Sequence, residues 1–122
     1  MAESQVLTVL RMWAAVAWAD GVLAQAEAEG LRRLMRSADL TADERAEAMR
    51  LLEEQVALPE HYLTDMSPES RRGVYRAACR LAVVDHVFTR SERAMLDRVR
   101  DLLGVPEDIA REIEFDIPGL PR

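Results

Sequence analysis

The chain has 122 residues with 49% hydrophobic and 31% charged side chains, enough apolar material for one packed core and too little length for two. Its 16 basic residues, all Arg, stand against 22 acidic ones for a net charge of −6, which opposes binding to a nucleic-acid backbone. Cys79 is the single cysteine, so an intrachain disulfide and a multi-thiolate zinc site are both excluded.

Ala, Leu, Arg and Glu dominate nearly every window, and period-two runs of β-branched residues do not occur, so the expected fold is all-α. Val6 to Ala19 forms the most apolar stretch and reads as a central helix with neighbours on several sides. It is shorter than the roughly 18 residues of a membrane span and carries Arg11 inside it, so neither a span nor a signal peptide is expected. A second helix places Ala28, Leu31, Leu34, Met35 and Ala38 on one side and Arg32, Arg33 and Arg36 on a solvated one. Thr41-Ala42-Asp43-Glu44 is a capping box, and the helix it opens is expected to carry Met49, Leu52 and Val56 before stopping ahead of Pro59.

A short helical turn is expected between Pro59 and Asp65, where His61 reads as a surface or packing residue. Ser67-Pro68 then offers an N-cap with proline at the first helical position, opening a helix built on Val74, Ala77, Ala78, Leu81, Ala82 and Val84. Cys79 lies on that helix and reads as a small core residue. Thr89-Arg90-Ser91-Glu92 is a second capping box, and its helix ends at Gly104. A last amphipathic helix begins at Pro106 with Ile109 and Ile113 inward. The expectation is thus a compact single-domain bundle of six to seven helices over residues 1–115, with 116–122 as a tail that is either docked or loose.

The chain repeats itself. Asp85 stands 65 residues after Asp20, and Glu92 stands 65 after Glu27, with Ala17/Ala82, Val22/Val87, Leu31/Leu96 and Arg33/Arg98 matching at the same offset. Each copy reads apolar helix, Asp, short turn, Glu in the next helix's first turn, a duplicated helical hairpin that would bring the two turns together across a pseudo-twofold. The glutamates are explained by capping of backbone N–H groups. The aspartates sit where the helix dipole disfavours negative charge, so they either bond their own turn or belong to a site.

A cluster of Asp20, Glu27, Asp85 and Glu92 offers only carboxylate oxygens, which suit Ca²⁺, Mg²⁺ or Mn²⁺; zinc becomes possible if His86 joins. The spacing does not match the dense ligand pattern of an EF-hand loop. No glycine-rich phosphate loop and no nucleophile–base pair is legible, which argues against an enzyme. Arg72, Arg76 and Arg80 recur at steps of four on one helical face, either as a solvated face or as a surface for an acidic partner or anionic head group.

Through Ala17-Trp18-Ala19-Asp20-Gly21-Val22 with Glu27 and Leu31, and again Ala82-Val83-Val84-Asp85-His86-Val87 with Glu92, Leu96 and Leu103-Gly104-Val105, the chain resembles the TerB-like family. These are tellurite-resistance-associated helical domains, found also in membrane-anchored DnaJ-like co-chaperones. The resemblance spans roughly residues 5 to 115. It implies a non-enzymatic all-α domain with a metal-binding acidic cluster, acting with protein partners in stress-response complexes in the cytoplasm or at the inner-membrane periphery. His86 replaces the glycine of the family's Asp-Gly pair, and Ala24 stands where the second copy has Thr89, so the first turn lacks a hydroxyl cap. No His-Pro-Asp tripeptide of a J-domain is present.

Overall fold

The computed structural model describes residues 5–58, 66–84 and 88–120. Among them are six α-helices and no strand: α1 Gln5–Ala17, α2 Gln25–Ser37, α3 Ala42–Arg50, α4 Pro68–Ala82, α5 Arg90–Leu103 and α6 Glu107–Phe115. The helical turn expected between Pro59 and Asp65, with His61, lies outside the described residues. Among the described residues no helix is long and apolar enough to cross a membrane.

The helix starts follow the sequence chemistry. Thr41 and Thr89 both form complete capping boxes with Glu44 and Glu92, and the Ser67 hydroxyl accepts from the Ser70 amide with Pro68 in the first turn. α5 stops at Gly104 in the left-handed conformation, φ 66°.

The duplication extends beyond the hairpins to whole three-helix units. A shift of 65 residues carries the end of α1, Ala17, onto the end of α4, Ala82, the start of α2 onto that of α5, and α3 onto α6 at both ends. The packing obeys the same exchange: α1 rests on α2 and α3 as α4 rests on α5 and α6, α1 on α5 matches α4 on α2, and α1 and α4 pack on each other. This is the pattern of a pseudo-twofold between the halves.

The central place of α1 follows from its nearly all-apolar surface. Val9, Met12 and Val16 join a cluster with Tyr75, Cys79, Leu96, Val99 and Leu103, while Leu7, Leu10, Ala14 and Ala17 join a second with Leu31, Met35, Ala48, Leu51 and Leu81. Trp13 on α1 and Trp18 just beyond its end serve as links between elements. The Trp13 indole N–H donates to the Val74 carbonyl at 3.0 Å, and that of Trp18 to the Leu51 carbonyl at 2.8 Å.

That second bond accompanies a correction. α3 stops at Arg50, short of Val56, because the chain tightens into turns in which the amides of Leu51, Leu52 and Glu53 reach back only three residues. The Trp18 indole then takes the Leu51 carbonyl at this end. Met49 on this short helix is 49% exposed, since the helix turns Ala48 inward, followed by Leu51. Leu52 and Val56 still pack against the second cluster from the irregular segment. Residues 116–120 lie against the first cluster through buried Ile117 and Leu120.

Candidate functional site

In each copy the sequence puts its acids at the junction between a central helix and the helix after it. In the first copy the chain leaves α1 through Asp20-Gly21. The Gly21 amide closes a turn onto the Trp18 carbonyl at 2.8 Å, and its φ of 80° explains the glycine, because a side chain there would be strained. Asp20 is exposed at this turn. The N-cap of α2 is Ala24, which has no side-chain cap, and Glu27 in the first turn is buried.

In the second copy Thr89 caps α5. Its hydroxyl accepts from the Glu92 amide at 3.1 Å, and the Thr89 amide donates to Glu92 Oε1 at 3.0 Å. Glu92 is 2% exposed, a burial its capping role accounts for in part. Asp85 and His86 lie outside the described residues.

The two copies meet at Thr89. Its hydroxyl stands 2.8 Å from Asp20 Oδ1 and 3.2 Å from Glu92 Oε1, so its one proton serves a carboxylate from either half of the chain. The pseudo-twofold thus brings Asp20 of the first copy beside Glu92 of the second, while Glu27 occupies the equivalent first-turn place in α2. Among the described residues no three or more His, Cys, Asp or Glu side chains form a ready metal-binding group.

The sequence reading missed a second polar cluster. The Tyr75 hydroxyl donates to Glu114 Oε2 at 2.6 Å, and Arg93 grips both oxygens of the same carboxylate at 2.9 and 3.2 Å while also reaching Asp97 at 2.7 Å. Burial pushes the Glu114 carboxyl upward, but the bonds from Arg93 and Tyr75 outweigh it and hold the group below its ordinary range. Burial first, then Cys79 and Glu114, holds the Tyr75 phenol well above its usual value. The Cys79 thiol is pushed up to about 12, mainly by burial, which agrees with a core residue and not a thiolate nucleophile. The legible signal was Glu114 itself, a charge beside Ile113 on the inward stripe of its helix.

The arginines divide by role. Arg71 is structural: its Nε donates to the Met66 carbonyl at 2.9 Å and a terminal nitrogen donates to the Leu103 carbonyl at 3.0 Å, satisfying the C-terminus of α5. Arg72, Arg76 and Arg80 are exposed on α4; Arg76 and Arg80 line a trough with Arg33 of α2, which Arg72 does not.

Comparison with known families agrees with this architecture. The model of the family described as tellurite resistance protein TerB matches residues 9–114, from within α1 to the last turn of α6. No curated protein and no solved structure matches the chain. With nearly its whole length covered, the chain belongs to the TerB family.

Proposed function

We propose that this TerB-family chain is a non-enzymatic domain that binds one divalent cation through Asp20, Glu27, Asp85 and Glu92. The bond of Thr89 to Asp20 carries the reading, because it draws an acid of one copy beside the equivalent junction of the other. Capping explains the position of Glu92 without this contact; it does not explain why Asp20 is drawn to the other copy's cap.

The donor set fits the ion. Every donor is a carboxylate oxygen, which favours Ca²⁺, Mg²⁺ or Mn²⁺, and Zn²⁺ enters only with His86 as an additional ligand. A bound cation would neutralise the mutual repulsion of the four acids and tie the two halves at their junctions. The chain's own residues supply the rest: Thr89 holds Asp20, and exposure of Asp20 leaves a path from solvent. Ion binding then modulates recognition of protein partners in a tellurite- or metal-resistance type of stress response, in the cytoplasm or at the inner-membrane periphery.

The test is thermal melting of chelator-stripped protein with each cation, beside the Asp20→Asn/Asp85→Asn variant. A cation at one hundred times its Kd stabilises the native state by about 2.7 kcal/mol, and the variant is expected to show no such rise. No shift with any cation, and a variant at least as stable as the parent, would reduce the acids to caps and turn formers and favour a metal-independent interaction module.

A further inference from the structure

In the arginine-rich cleft of about 540 Å³ between α5 and α6, three of the four arginines, Arg93, Arg100 and Arg111, are ion-paired to carboxylates of the chain, so most of its positive charge is already met. The trough between α2 and α4 differs. Arg33 lines it from α2, Arg76 and Arg80 from α4, all three exposed, and among the described residues none of them lies within ion-pair distance of a carboxylate. In a chain of net charge −6, three cations facing one trough with no carboxylate partner among the described residues are a local reversal of sign.

The floor is apolar. Leu34, Ala77 and Val84 lie half-buried between the arginines, in a trough of about 500 Å³. Leu34 and Ser37 also line a separate, apolar hollow of about 310 Å³ with Val9, Trp13 and Val74. Glycines shape both walls. A Cβ on Gly30 would stand 2.9 Å from Leu81 Cδ1, so its absence lets α2 approach α4, and a Cβ on Gly73 would meet nothing within 4 Å, leaving that wall open.

We infer that this trough docks an acidic amphipathic helix of a partner protein, with apolar side chains on Leu34, Ala77 and Val84 and carboxylates on Arg33, Arg76 and Arg80. Charge complementarity selects the partner's sign, and an open trough between two helices with an apolar floor is the form in which a third helix is received. A lipid surface fits less well. The arginines line two facing walls, and the basic trough has no aromatic side chain of the kind that anchors at a membrane interface.

The probe is a fluorescein-labelled peptide of leucine and glutamate, capped at both ends, with leucines at i, i+3, i+4 and i+7, titrated by anisotropy with the full chain in the presence of chelator. Saturable binding is expected, weakened about tenfold or more in the Arg33→Glu/Arg76→Glu/Arg80→Glu variant and for a twin peptide with glutamine in place of glutamate. Gly73→Leu, which fills the open wall while keeping every charge, is expected to block binding without lowering the melting temperature. Arg32→Glu/Arg36→Glu, on the solvated side of α2, is expected to bind as the parent does. Absence of saturable binding, an equal loss in the Arg32/Arg36 variant, or undiminished binding in the triple variant or in Gly73→Leu would each overturn the inference. So would binding to phosphatidylserine vesicles, lost in the triple variant, with no binding to the peptide.

Discussion

The two halves share one helical frame but fill it with different chemistry. Where the first half has Leu10, Ala28 and Met49, the second has Tyr75, Arg93 and Glu114, which bond to one another at the equivalent places. Leu10 and Tyr75 are both fully buried, whereas Met49 is half exposed and Glu114 is not. At the junctions the relation repeats, with Ala24 uncapped in the first copy and Thr89 forming a capping box in the second. The lesson is that the frame is set by the apolar positions common to both copies, Leu31/Leu96 and Ala17/Ala82 among them, while polar specialisation has room to differ.

This contrast orders the expected effects of substitution. The largest belongs to the apolar half: Leu10→Ala leaves a cavity against the second cluster and is expected to destabilise by about 3–4 kcal/mol in denaturant unfolding. A loss below about 1 kcal/mol would mean that the first half repacks freely.

Glu114→Gln strikes the polar half. It removes the charge gripped by Arg93 and weakens the bond from Tyr75, for an expected loss of about 2–3 kcal/mol near neutral pH. Because the folded-state pKa of Glu114 is lowered, its contribution is complete above the ordinary carboxyl range near 4.5 and is lost as pH falls through the lower folded value. The stability gap between parent and variant is therefore expected to be constant from neutral pH down to about 5 and to shrink below 4.5. A gap that widens on acidification would contradict this account of the network.

Thr89→Ala removes both the α5 cap and the bond to Asp20, with an expected cost of about 1–2 kcal/mol. The converse change, Ala24→Thr, gives the first copy the hydroxyl it lacks and is expected to stabilise by about 0.5–1 kcal/mol. Destabilisation by Ala24→Thr would show that the two junctions are not equivalent at the N-cap.

Much of the fold was legible before the structure. Capping boxes at Thr41 and Thr89, Ser67-Pro68 and Gly104 marked helix ends because these signals are local, satisfied by atoms within a few residues. The end of α3 was not legible, since turns replace the helix at Leu51 and the carbonyl there is taken by Trp18, 33 residues away. The Tyr75–Glu114–Arg93 cluster was missed for the same reason, its members lying on three helices. At the site, the repeat in the sequence implied that the two junctions face each other, and the Thr89–Asp20 bond is the contact that spacing alone had no means to name.

The central claim is that the two copies build one shared cation site, and calorimetric titration of chelator-stripped protein with Ca²⁺, Mg²⁺ or Mn²⁺ tests it most directly through stoichiometry. One ion per chain is predicted, with binding abolished alike by Asp20→Asn and by Asp85→Asn, each in a different copy. Two ions per chain, of which each substitution removes only its own, or no heat of binding for any cation, would contradict it.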